Sequence, residues 1–213
     1  EVFQGLAPEA RLRVDWPPVW ARNERFVLAV LGPGGSGKSL LVEGLVRAAG
    51  AAGRGENLQG LDEAARLSQR DLPQPWLMDR LLCERVNGSS VELHCWPDVS
   101  VGAGRRLDFL DLPGLGTWSG LRCAMTVAGA VDAALITISA APGEFEAQKE
   151  QLSEAALVAQ GGGVQEVVVA VTKMDAAGWD ADRFSQVQAE VLQRCRFLKH
   201  QCVLVVPVSC GEN

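Results

Sequence analysis

The 213-residue sequence has only two histidines, His94 and His200, and its six cysteines (Cys83, Cys95, Cys123, Cys195, Cys202, Cys210) form no C-x-x-C pair. That argues against a structural zinc centre, whose four ligands come closely spaced, and the cysteines read as reduced, mostly buried thiols. No apolar run reaches the roughly 20 residues that cross a bilayer. The opening Glu1-Val2-Phe3-Gln4-Gly5 has neither the charged start nor the apolar centre of a signal peptide. The expectation is a cytoplasmic protein with no membrane partner. Basic residues are also short: 20 Lys and Arg stand against 26 Asp and Glu, a formal net charge of −6. Bulk attraction to a nucleic-acid backbone needs a basic surface, so no direct nucleic-acid grip is expected.

What is present suits one buried α/β domain, with 47% hydrophobic and 22% charged residues. Residues 1–24 read as a lead, part of it readable as a tag, and residues 25–213 as the domain. Phe26 to Leu31 is a short, wholly apolar run of the kind a strand buried on both faces shows. A helix is expected over Leu40 to Ala51, then a glycine-rich stretch to Gly60. A short helix begun near Pro75 is expected within Leu72 to Arg85. Ser90 to Trp96 and Arg106 to Leu110 should pair as a hairpin. Ala133 to Ser139 and Val164 to Val171 read as buried strands around a helix from Glu144 to Gln160. Asp180 to Leu198 reads as an amphipathic helix with Phe184, Val187, Val191, Leu192 and Cys195 on one side, and Val203 to Val208 as a last strand. Strand and helix alternate, which predicts a three-layer α/β fold of the phosphate-loop nucleotidase type. Its sheet should be mostly parallel with one antiparallel edge strand, helices on both faces, and ligands at the strands' carboxyl ends. A closing helix would be expected after Val208.

Four short motifs fall at those carboxyl ends. Gly32-Pro33-Gly34-Gly35-Ser36-Gly37-Lys38-Ser39 matches G-x-x-x-x-G-K-[ST], between an expected strand and an expected helix that opens at Leu40. Glycines let backbone N–H groups turn inward on a phosphate, the helix N-terminus adds positive potential, Lys38 neutralises β/γ oxygens, and Ser39 offers a hydroxyl to Mg²⁺. Asp111-Leu112-Pro113-Gly114 pairs an acidic residue suited to magnesium's water shell with a glycine N–H suited to a γ-phosphate. Thr172-Lys173-Met174-Asp175 supplies a carboxylate that can accept both N1–H and N2–H₂ of guanine, whereas adenine would face it with an acceptor. Lys173 would lay its stem along the base. Thr172 stands where Asn is commoner, so one bracing bond is lost or replaced. In Ser209-Cys210-Gly211 a backbone N–H is placed for guanine O6.

These boxes resemble the translational GTPases of elongation factor 1-alpha, eukaryotic release factor three and the Hbs-type ribosome-rescue factor. The resemblance also rests on Trp76 to Leu81 with Glu84-Arg85, on Gly143-Glu144-Phe145-Glu146-Ala147, on Trp179 with Asp182-Arg183-Phe184, and on Val206-Pro207-Val208-Ser209 with Gly211-Glu212-Asn213. It implies a GTP-binding domain, normally followed by two β-barrels, that binds GTP or GDP with Mg²⁺ and works at the ribosome with a tRNA-like or release/rescue-factor partner. Three departures matter. Leu115 replaces the histidine that positions the attacking water, so hydrolysis is expected to be slow or absent. Ser90, in place of the first switch's threonine, keeps a hydroxyl for Mg²⁺ without the rotamer-restricting methyl. Gly35 replaces an aspartate beside a proposed monovalent-cation site. An active GTPase completed by a ribosomal group, and a phosphate-loop ATPase or kinase, are the alternatives; Asp175 argues against the latter.

Overall fold

The computed structural model describes residues 25–50, 75, 77–102, 104–164, 166–196 and 202–210, with the side chain of Cys202 left aside. Six strands run as β1 (Arg25–Leu31), β2 (His94–Ser100), β3 (Arg106–Asp111), β4 (Ala133–Ser139), β5 (Glu166–Thr172) and β6 (Cys202–Pro207). Among the described residues five helices accompany them: α1 (Lys38–Ala48), α2 (Leu82–Asn87), α3 (Trp118–Ala128), α4 (Glu144–Gly161) and α5 (Ala181–Arg194). The strand order is β2-β3-β1-β4-β5-β6. Only β2 is antiparallel to its neighbour, so the expected mixed sheet with an antiparallel edge is what forms.

Alternation along each strand divides the core in two. Ala29, Leu31, Ile136, Ile138, Val167, Val169 and Val171 pack with α3, α4 and α5. Val30, Leu107, Phe109, Leu135 and Ala170 face the other way, onto Leu41, Val42 and Val46 of α1 and onto Leu77 and Met78. The central strand β4 is buried along its whole length, Thr137 and Ser139 included, which explains why the other five of its seven residues are apolar.

The hairpin is displaced from its expected place. Its first strand is His94–Ser100 rather than Ser90 to Trp96, because the ladder shifts register between Trp96 and Val99, where Asp98 takes a left-handed backbone (φ 65°). A bulge there carries the strand past Pro97. The expected helix near Pro75 is a turn, with the Pro75 carbonyl accepting from Met78 and Asp79, and helix begins only at Leu82. Helix α3 is additional to the elements expected. Leu192 is exposed, off the buried side of α5. The thiols are also less buried than expected: Cys195 is buried, Cys123 and Cys210 half-buried, and Cys83 and Cys95 exposed. Glycine-rich residues 51–60 and the end of the expected helix at Leu198 lie outside the described residues.

Truncating the middle of β4 tests where stability resides. Ile136→Ala removes a fully buried side chain between two parallel neighbours and should cost about 2–5 kcal/mol, read as a lower urea midpoint at unchanged slope.

Candidate functional site

The turn after β1 curls because its glycines adopt backbones closed to other residues. Gly35 and Gly37 have φ of 73° and 85°, and a Cβ at Gly32 would lie 2.5 Å from the Thr137 carbonyl. Ser36 is fully buried; its Oγ donates to the Pro33 carbonyl (2.9 Å) and lies 2.6 Å from the Thr137 hydroxyl. The Thr172 hydroxyl donates to the Ser36 carbonyl (2.6 Å) and reaches that of Ile138 (3.1 Å). Thr172 is therefore a brace of its own, from the end of β5 straight onto the loop.

Lys38 folds back over the turn, its Nζ donating to the carbonyls of Gly32 (3.2 Å) and Pro33 (2.7 Å). Burial pulls the Lys38 pKa down to about 8, partly opposed by the Asp111 carboxylate. Leu40 sits half-buried in the first turn of α1, which Gly37 opens by accepting from Leu41.

Beside Lys38 a hydroxyl relay runs from Ser39 Oγ to Ser90 Oγ (2.9 Å) and from Ser90 Oγ to Asp79 Oδ1 (3.0 Å). Both serine protons are spent in it, which leaves oxygen lone pairs free. Asp111, at the end of β3, is buried with neither carboxylate oxygen hydrogen-bonded. Burial raises its pKa to about 6, opposed by the Lys38 charge. Two hydroxyl oxygens beside an orphaned carboxylate form a hard, all-oxygen donor set that fits Mg²⁺. Ser39 is thus the residue beside which both Ser90 and Asp111 lie.

Two residues of this corner escaped sequence reading. Asp79 is buried at the end of the relay, and burial raises its pKa. Glu84, fully buried, accepts from the N–H groups of Leu81, Val91 and Glu92 and lies 3.1 Å from His94 Nε2, which pins the chain on either side of Ser90. Their one visible signal is acidity inside the Trp76 to Arg85 stretch. Glu43 of α1 completes the frame by accepting from the Leu77 N–H (3.0 Å).

Gly114 packs directly on the loop, where an added Cβ would stand 2.6 Å from Gly34 Cα. Leu115 follows with its N–H on the Gly32 carbonyl (3.0 Å) and its side chain in the core, 3% exposed, among residues such as Leu31 and Ala124. At the base end, Ser209 Oγ donates to Asp175 Oδ1 (2.5 Å), and Val208 accepts from the Met174 N–H. Lys173, at φ 55°, directs its Nζ to Glu144 of α4 (2.7 Å). Burial and the Asp175 charge push the Cys210 thiol up to about 11, so it is neutral, and its side chain packs against the core. Gly211 lies outside the described residues. Among the described residues no helix is long and apolar enough to cross a membrane.

The family model of the elongation factor Tu GTP binding domain matches residues 23–213. Elongation factor 1-alpha of Pyrobaculum aerophilum is 34% identical over 207 residues, 92% of this chain and 45% of that protein. The Saccharomyces cerevisiae elongation factor 1-alpha is 30% identical over 196 residues, 87% of this chain and 41% of that protein. The chain thus spans less than half the length of these relatives. In fold it is similar to the GTPase-like domain of S. cerevisiae Ski7 bound to GDP and inorganic phosphate, with TM-score 0.70 at 15% identity over 87% of this chain and 43% of that one. It is also similar to Sup35 complexed with GDP, with TM-score 0.56 at 21% identity over 96% of this chain and 42% of that one.

Replacing the brace tests its energetics. Thr172→Val keeps the shape, removes the donor to two buried carbonyls, and should destabilise by about 1–3 kcal/mol in denaturant titration; an unchanged midpoint would refute the brace. Asp111 predicts a pH dependence. Its folded pKa of about 6 lies above the ordinary 3.8, so the folded state holds the proton more tightly. Stability contributed this way is full below about pH 4 and is lost as pH rises through about 6. In metal-free protein, Asp111→Asn should therefore gain on the wild type across that window and hold its gain above it. Parallel pH–stability curves for the two proteins would contradict the assignment.

Proposed function

The chain belongs to the elongation factor Tu GTP-binding-domain family, and we propose that it binds GTP with Mg²⁺ and hydrolyses it slowly or not at all. Gly32, Gly34, Gly35, Ser36, Gly37, Lys38, Ser39 and Leu40 would cradle the phosphates, with Gly114 at the γ-phosphate. Ser39, Ser90 and Asp111 would hold Mg²⁺, which supplies charge neutralisation between the phosphate oxygens. Asp175 would select guanine, oriented by the Ser209 hydroxyl it accepts from, while Thr172, Lys173, Ser209, Cys210 and Gly211 would shape the base pocket.

The observation that carries the kinetic half of this reading is the burial of the Leu115 side chain in the core. An aliphatic side chain turned away from the loop neither orients nor polarises water, and positioned proton-handling groups contribute typically ~10²–10⁴-fold. Binding needs only residues that are present. The family supports reading the chain as the GTP-binding domain of a divergent elongation-factor-1-alpha-like GTPase, which would act in the cytoplasm in translation, ribosome rescue or mRNA surveillance. Its ribosomal and tRNA-like or release/rescue-factor contacts would be made through further domains.

Titration calorimetry with Mg²⁺ should show GTP and GDP binding and no comparable ATP binding, with Lys38→Ala abolishing it and Asp175→Asn losing the guanine preference. Single-turnover hydrolysis should be slow alone. Ribosomes restoring a family-like rate would replace the slow-enzyme reading with that of a ribosome-completed GTPase, and equal ATP affinity would overturn the guanine assignment.

A further inference from the structure

Helix α4 brings another polar side chain to the phosphate loop. Gln148, the fifth residue of α4, donates from Nε2 to the Gly34 carbonyl at 3.3 Å. Its other amide atom, Oε1, is buried and has no hydrogen-bond partner. Chemistry sets this orientation, because turning the amide over would aim Oε1 at the Gly34 carbonyl, acceptor against acceptor. A buried amide oxygen without a donor costs about 1–3 kcal/mol, so a donor belongs at that spot in the working molecule.

The surroundings restrict what that donor is. Gly34 is the residue on which Gly114 packs, with a prospective Cβ–Cα approach of 2.6 Å, and the next turn is equally close to α4, since a Cβ at Gly116 would lie 3.1 Å from Gln151 Nε2. Small residues therefore close this corner, and Leu115, which lies between them, is turned into the core. A water molecule carries the missing donor, and Gly34, to which Gln148 is tied, is the loop residue that Gly114 touches.

We propose that Gln148 is a water-positioning residue for GTP hydrolysis, its Oε1 accepting a hydrogen bond from the attacking water in the place of the function Leu115 lacks. The proposal rests on the reading of the loop as a GTP site. In the reaction the water oxygen bonds to the γ-phosphorus as the bond from that phosphorus to the β–γ bridging oxygen breaks. The bridging oxygen leaves with the electron pair on GDP, and the water's protons end on the released phosphate and in solvent. Gln148 takes up no proton, because a carboxamide is neither acid nor base near neutrality. Its contribution is orientation alone, which is consistent with a slow enzyme.

The test compares wild type with Gln148→Leu and Gln148→His by three readouts: GTP and GDP affinity by calorimetry, single-turnover hydrolysis, and formation of the GDP–tetrafluoroaluminate complex by fluorine NMR. Gln148→Leu should leave both affinities unchanged, slow hydrolysis by about 10²-fold and lose the fluoroaluminate complex. Gln148→His, which keeps a ring acceptor, should retain part of both. A Leu variant that hydrolyses and forms the complex like the wild type overturns the proposal, as does a wild type that binds GTP yet shows neither. A Leu variant that loses GTP binding overturns it in favour of a purely structural tie to Gly34. Failure of the wild type to bind GTP sinks the underlying reading and the proposal with it, and the calorimetry separates that case from the others.

Discussion

The site depends on the anchoring of the Ser36 peptide. A turn that points N–H groups at a ligand must find partners for its own buried carbonyls, and here they come from the Thr172 hydroxyl and from the loop's own serine and lysine. Thr172 at the end of β5 takes the Ser36 carbonyl, Thr137 of β4 meets the Ser36 hydroxyl, and Lys38 takes the carbonyls of Gly32 and Pro33. Because Gly32 and Gly114 leave no room for a Cβ, β1, β3 and β4 deliver their ends to one point without a side chain between them. The turn is held in shape by its scaffold, so the ordering entropy of a ligand-shaped loop is already met by the sheet.

That dependence explains which elements were legible. Strands buried on both faces announce themselves by apolar runs, and β4 lies where its sequence places it. The hairpin was misplaced because its register depends on a bulge at Asp98, a residue whose left-handed backbone no periodicity reveals. Helix α3 was missed although its start is signalled by Thr117, whose hydroxyl accepts from the Gly120 N–H. Its interior glycine and exposed Trp118 and Met125 obscure the apolar stripe that Ala124 and Ala128 supply with small side chains. Leu192 misled in the opposite sense, since helical spacing places a residue near a face and only the neighbouring element decides whether that face is covered.

Within the site, residues were legible in proportion to how local their role is. The glycines, Lys38, Ser39 and Asp175 sit in motifs whose spacing is fixed by backbone geometry. Asp79 and Glu84 act over 11 and 7 residues, on Ser90 and on the backbone beside it, and Gln148 acts across 114 on Gly34, and no spacing rule joins them. Thr172 shows the intermediate case. Its departure from the commoner Asn was visible in the sequence, but its compensation, a direct bond to the loop, needed β5 to lie against β4 at the observed register.

The electrostatics of the phosphate loop connect this architecture to ligand response. Burial drives Lys38 down to about 8 and Asp111 up to about 6, so the same desolvation pushes a cation and an anion toward neutrality, and their mutual attraction only partly opposes it. A polyphosphate would stabilise the charged lysine and a divalent cation the charged aspartate, each reversing the shift that burial imposes. Ligand and metal would thus return as binding energy part of what folding spends on these buried charges, and occupancy would raise the stability of the whole domain through β1 and β3. None of this requires a water-activating residue. The physics that makes the pocket responsive to its ligand is separate from the physics of hydrolysis, which is why the first can persist intact around a buried Leu115.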